Sequence, residues 1–182
     1  YGWADVAAKE PVTPQSLFRI ASISKPVTAV AVMKLVQDKQ LKLDDKAFSL
    51  LKLKPMGTGD VQADARLEEV TIRQLLQHTG GWDRDKSFDP MFRSVDIAKE
   101  LRVTPPAEPE HVIRFMLSRQ LDFAPGERYA YSNFGYCVLG QVIAEVSHQP
   151  YEDYVKAKIL KPLTINSMAI GHTREGGRAK HE

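Results

Sequence analysis

From Ser22 to Asp38 the sequence reads Ser-Ile-Ser-Lys-Pro-Val-Thr-Ala-Val-Ala-Val-Met-Lys-Leu-Val-Gln-Asp. Ile23, Val27, Val30 and Leu35 recur at close to helical spacing, and Ala29, Ala31 and Met33 fill much of the rest. Pro26 falls in the first turn, where its missing N–H costs little. A helix with apolar residues on several sides has to lie inside a fold rather than on its surface. Whatever else this chain does, it must supply or find cover for that helix.

The covering material is limited. The chain has 182 residues, of which 43% are hydrophobic and 26% charged, with a formal charge of +2. That is a little over one domain at roughly 150 residues each, and it is too apolar for a disordered chain. A charge of +2 spread over this length leaves no concentrated basic patch, so nucleic acid is not an expected partner. The single cysteine, Cys137, excludes an intrachain disulfide and does not identify a compartment. The longest uncharged stretch, Tyr129 to Ala144, contains Tyr, Ser, Asn and Gln and is too short for a good membrane span. No secretory signal pattern opens the chain, which starts as a strand already under way; a fragment or processed chain is expected.

Along the chain, residues 1–8 and Leu17-Phe18-Arg19-Ile20 read as short strands, separated by a turn-rich stretch from Glu10 to Ser16. A loop is expected around Gly57-Thr58-Gly59-Asp60. Thr71-Ile72-Arg73-Gln74 has the form of a capping box opening a short helix, which Gly80-Gly81 stops. Asp83 to Pro90 reads as a polar loop and Thr104 to Pro109 as a proline-rich connection. Helices are predicted over about Glu110–Arg119 and Asn133–Ser147, with a further one starting at Pro150 and ending before Pro162. Pro125-Gly126-Glu127 is a turn, and the tail from Gly171 to Glu182 is polar. The strands are too few for a sheet of ordinary size.

Two serine–lysine pairs lie three residues apart, which on a helix is one face and one turn. They are Ser22/Lys25 and Ser49/Lys52. A lysine amine so placed reaches the serine hydroxyl, and if desolvation makes the amine neutral it can take the serine proton. The pattern is cheap, since ordinary residue frequencies predict about one chance match in a chain this long. Context separates the two. Ser22 stands at the start of the apolar helix, beside backbone N–H groups that favour negative charge. Ser49 lies in a lysine-rich amphipathic stretch from Lys42 to Lys54 and reads as a solvated helix face. Taken alone, Ser22 is equally readable as a plain N-cap. Tyr131-Ser132-Asn133 is the second candidate: a phenol can relay a proton, and an amide can hold both a lysine and a substrate carbonyl. Alone, it reads better as a core tyrosine beside a helix cap.

Together, three segments resemble one family. Phe18-Arg19-Ile20-Ala21-Ser22-Ile23-Ser24-Lys25-Pro26 resembles the nucleophile segment of the serine β-lactamase and penicillin-binding-protein superfamily, in its class C-like branch. Leu75-Leu76-Gln77-His78-Thr79-Gly80-Gly81 resembles that branch's Leu-Leu-x-His-Thr-Ser-Gly segment, with Gly80 in place of serine. Phe123 to Glu127 followed by Tyr131-Ser132-Asn133-Phe134-Gly135-Tyr136 resembles its Pro-Gly and Tyr-Ser-Asn segment. The resemblance implies that Ser22 is the acylated nucleophile and Lys25 its proton acceptor or activating group. It implies that Tyr131 shuttles a proton to the leaving group and later helps activate water. Asn133 would bind the substrate amide and brace Lys25, and the Ser22 N–H would be half of an oxyanion hole. His78 is read as a structural turn residue.

The implied fold is α+β and β-lactamase-like. An N-terminal strand piece and the nucleophile helix would occupy residues 1–40, a helical domain 41–165, and the start of a return to the α/β domain 166–182. Most of the antiparallel sheet is expected to be missing. The family's third segment, Lys/His-Thr/Ser-Gly, has one poor candidate, His172-Thr173-Arg174, rejected because arginine stands where glycine is needed. The implied activity is a serine hydrolase acting through an acyl-enzyme on amide, β-lactam or ester bonds. A non-catalytic binding or regulatory relative, and a helical interaction module with chance motifs, are the competing readings. The expected partner is a small-molecule or peptide substrate, with a complementary chain or self-association covering the apolar helix. The resemblance points to a periplasmic or secreted setting. No metal or cofactor is expected, because the five histidines show no familiar ligand spacing.

Overall fold

The computed structural model describes residues 2–57 and 63–171. Part of the expected loop at 57–60, almost all of the polar tail and the rejected His172-Thr173-Arg174 lie outside the described residues. The rest is mostly helical, with a two-stranded antiparallel sheet. β1 (Trp3–Asp5) pairs with β2 (Glu10–Pro11) at the exposed N-terminal edge.

Helix α1 (Ser24–Gln37) follows a 3-10 turn over Ala21–Ile23. It crosses α6 (Asn133–Ser147), the longest helix, against which α2 (Ala47–Leu51), α3 (Ile72–Leu76), α5 (Pro109–Met116) and α7 (Tyr151–Val155) also pack. One core results. From α1 it takes Ala31, Val32 and Leu35, and from α6 it takes Phe134, Val138, Leu139, Val142 and Ile143. Helix α4 (Ser94–Leu101) joins through Ile97 and Ala98 and packs on α5.

Local sequence explains the element ends. Thr71 and Gln74 form a reciprocal capping box: Thr71 Oγ1 accepts from the Gln74 N–H and Gln74 Oε1 from the Thr71 N–H. Ser132 caps α6 by accepting from the Gly135 N–H. Buried Asp64 accepts hydrogen bonds from Arg66 and from the Leu121 N–H, tying the segment after position 63 to the connection ahead of α6.

Three expectations are corrected. The strand read over residues 1–8 is a short piece, Trp3–Asp5, turning at once into its partner. Leu17-Phe18-Arg19-Ile20 is not a strand: it joins no ladder among the described residues, and the Ile20 carbonyl instead accepts from the Ile23 N–H of the following 3-10 turn. Finally, α1 is buried on one side only. Its other apolar residues Val30 and Met33 are exposed, as are Ile23 in the 3-10 turn and Phe18 before it.

Candidate active site

Ser22 sits in the 3-10 turn just ahead of α1, and Lys25 lies in the first turn of α1 itself. Ala21, immediately before the serine, has φ +44°, a left-handed backbone that a residue with a Cβ adopts only at some cost. Tyr131 lies in the stretch leading to the Ser132 cap, and Asn133 is the first residue of α6. The packing of α1 on α6 therefore brings two segments more than a hundred residues apart onto one spot.

There the four candidate residues meet. Ser22 Oγ lies 2.6 Å from Tyr131 Oη, and Lys25 Nζ donates to Ser22 Oγ at 3.3 Å. Lys25 Nζ also donates to Asn133 Oδ1 at 2.6 Å and sits 4.7 Å from the centre of the Tyr131 ring. Ser22 itself is exposed, so its hydroxyl is open to a ligand.

The electrostatics favour a phenol that gives up its proton more easily than an ordinary tyrosine. Burial pushes the Tyr131 phenol up, but hydrogen bonding by Lys25 and Ser22 and the charges of Lys25 and Arg84 together outweigh it and hold it below its usual value. The Arg84 guanidinium carbon lies 5.0 Å from the Tyr131 ring centre. Arg84 is carried by a pinned loop. Asp122 Oδ2 accepts from the Asp83 N–H and from Ser87 Oγ, and Arg128 pairs with Asp83 at 2.7 Å.

His78 braces the tyrosine segment. Its carbonyl accepts from the Ala130 N–H, and its Nδ1 accepts from the Ser132 N–H at 3.1 Å. A ring whose Nδ1 accepts carries its proton on Nε2. Burial, then the nearby charge of Lys25, holds His78 below its ordinary pKa and so neutral. Its ring lies 4.7 Å from that of Tyr131 at 31°. Its backbone is left-handed at φ +59°, which fits the turn reading.

Two residues at the site were not legible as such in the sequence. One is Arg84. The other is Asp89, whose Oδ2 accepts from Asn133 Nδ2 at 2.7 Å. Both fall in the stretch read as a polar loop, and nothing in their local pattern marks them. Ser49, the other serine–lysine candidate, is exposed on α2, and Lys52 is that helix's left-handed C-cap at φ +53°. Tyr131 and Asn133 bond instead to the first pair, Ser22 and Lys25. Among the described residues no group of His, Cys, Asp and Glu could hold a metal ion, and no helix is long and apolar enough to cross a membrane.

Known proteins carry the same arrangement of elements. The octameric penicillin-binding protein homologue from Pyrococcus abyssi superposes with a TM-score of 0.70 at 35% identity, over 91% of this chain and 35% of that one. EstCE1, a hydrolase with promiscuous acyltransferase activity, superposes with a TM-score of 0.69 at 28% identity, over 90% of this chain and 42% of that one. In sequence, the probable fimbrial assembly protein FimD, serogroup H1, of Dichelobacter nodosus is 32% identical over 162 residues, 86% of this chain and 37% of that protein. The chain thus spans between a third and a half of the length of these relatives. The beta-lactamase family model matches residues 1–182, and by that match the chain belongs to the beta-lactamase family.

Proposed function

We propose that this chain carries the nucleophile centre of a serine hydrolase that works through an acyl-enzyme on amide, β-lactam or ester bonds. The observation that carries the reading is the position of Ser22 Oγ between Tyr131 Oη at 2.6 Å and Lys25 Nζ at 3.3 Å.

The distances support a division of roles. Lys25 Nζ lies 2.6 Å from Asn133 Oδ1 and 3.3 Å from Ser22 Oγ, which supports a role in holding the serine oxygen in place. Tyr131, held below its usual pKa, is the nearer acceptor. Ser22 Oγ bonds to the carbonyl carbon as its proton passes to the Tyr131 phenolate. The tetrahedral adduct, its oxyanion facing the Ser22 N–H, then collapses. The bond to the leaving nitrogen or oxygen breaks, and the Tyr131 proton goes to that atom. In deacylation water attacks the ester carbon, gives its proton to Tyr131, and Ser22 leaves as the alcohol by taking it back.

EstCE1's described acyltransferase activity supports testing alcohols as acyl acceptors alongside water. The exposed Val30 and Met33 of α1, with Ile23 just ahead of it, support self-association, which light scattering of the purified chain tests: a monomer at all concentrations excludes it. The function itself is tested with a fluorophosphonate probe and peptide mapping. The adduct should form on Ser22, vanish in Ser22→Ala and persist in Ser49→Ala. An adduct on Ser49, or labelling that survives Ser22→Ala, rejects the reading.

A further inference from the structure

We infer that Asp89 is a positioning residue of this site, which acts by fixing which way round the Asn133 amide sits. The inference rests on the acylation reading above.

An asparagine amide carries an acceptor at one end and donors at the other, and rotating it exchanges them. Here the oxygen faces Lys25 Nζ at 2.6 Å and the nitrogen faces Asp89 Oδ2 at 2.7 Å. Lysine has only donors to offer, and an ionised carboxylate only acceptors. Turning the amide over would set N–H against ammonium and oxygen against carboxylate, so both contacts would become repulsive. Charge at both ends also makes these the stronger kind of hydrogen bond. Asp89 and Lys25 together therefore define one amide orientation.

Asp89 is itself held. Its second oxygen, Oδ1, accepts from the Met91 N–H at 3.0 Å, capping the 3-10 turn Pro90–Phe92. Pro90 beside it is buried. The carboxylate is thus anchored from its own loop and reaches α6 from there. The consequence runs along the line Asp89, Asn133, Lys25, Ser22. With its oxygen committed to Lys25, the amide keeps the ammonium within reach of the serine. With one Nδ2 hydrogen on Asp89, the other stays available to a substrate carbonyl. Without Asp89 the amide is free to rotate and Lys25 loses its fixed partner.

The experiment must separate this from the capping of Met91. Asp89→Ser keeps a good cap but is too short to reach Asn133, whereas Asp89→Asn keeps the length and one acceptor oxygen. The readout is the rate of Ser22 labelling by a fluorophosphonate, with Tm measured alongside. Asp89→Ser should label about 10–100-fold more slowly at nearly unchanged Tm, the scale of one lost charged hydrogen bond. Asp89→Asn should fall between Asp89→Ser and the parent, because its one acceptor oxygen can serve Met91 or Asn133 but not both. In an Asn133→Ala background, Asp89→Ser should cost no more than about twofold, because the two act as one unit. Asp89→Ser labelling at the parent rate overturns the inference, and so does a loss that is undiminished in Asn133→Ala. A parent protein that does not label on Ser22 overturns the acylation reading instead. In that case a crystal structure of Asp89→Ser decides: the Lys25–Asn133 contact should open beyond hydrogen-bond distance, and an unchanged contact rejects the positioning role.

Discussion

Gly80 lies so close to Trp82 that a Cβ at position 80 would stand 2.7 Å from Cζ3 of the indole ring. The ring has no room to retreat. It is buried, with its neighbours Phe134 and Phe48 meeting it edge-on at centroid distances of 4.8 and 6.2 Å. The serine that the related segment carries at this position is thus incompatible with Trp82 as it sits here. Gly80→Ser should destabilise by about 1–3 kcal/mol, the usual cost of overpacking a filled core. For a chain of this size that lowers Tm by roughly 3–10 °C. An unchanged Tm in thermal melts would show that the indole gives way.

Tyr131→Phe removes only the hydroxyl that faces Ser22 at 2.6 Å. The ring, with its contacts to His78 and Lys25, stays. Turnover of a p-nitrophenyl ester should fall by about 10²–10⁴-fold, the range of a lost proton-transfer catalyst. Tm should hardly move. Near-normal kcat in this variant excludes the relay.

Arg84 contributes through charge. A base works in its deprotonated form, so cations that hold its pKa down extend activity to lower pH. With Arg84→Gln one such cation is gone, the Tyr131 phenol rises, and the acid limb of kcat/KM should move to higher pH. Arg84→Lys should restore part of the shift. Arg84 is exposed, so the difference between parent and Arg84→Gln should shrink in high salt. A limb that stays in place, or moves to lower pH, contradicts the assignment.

Asp64 adds to the acid sensitivity of the fold. The Arg66 hydrogen bond is the main cause that lowers its carboxyl to about 2, against the opposing effect of burial. Because the folded-state pKa is depressed, the stability it confers is full above about 3.9 and is lost as pH falls through about 2. After allowing for solvent around the half-exposed Arg66, that is about 1–2 kcal/mol. Urea unfolding of Asp64→Asn should show the loss at pH 7 and a flatter decline toward acid. Parallel acid profiles for parent and variant would contradict it.

The helices were legible wherever the signal was local. Thr71 and Gln74 announce their capping box in four residues, and Ser132 followed by the apolar face of α6 fixes both the start and the burial of that helix. Helix α4 escaped because its apolar residues Val95, Ile97, Ala98 and Leu101 are interleaved with charge and follow a loop. Leu17 to Ile20 misled for the opposite reason. Its residues suit a strand, but strand formation depends on a partner that a local pattern cannot supply. The four candidate residues stood out in the sequence because three segments agreed in order and spacing. Asp89 and Arg84 were not, because each matters only through a neighbour more than forty positions away, Asn133 and Tyr131.

The Lys25–Asn133 bond also says something about folding order. Its two ends are 108 residues apart in the chain and meet only where α1 crosses α6. No local event can bring these groups together, so their contact has to wait for a long loop to close. A compact state that kept its helices and lost fixed packing would look native to far-ultraviolet circular dichroism while holding Lys25 and Asn133 apart. That one contact is therefore a gauge of tertiary order rather than of helix content.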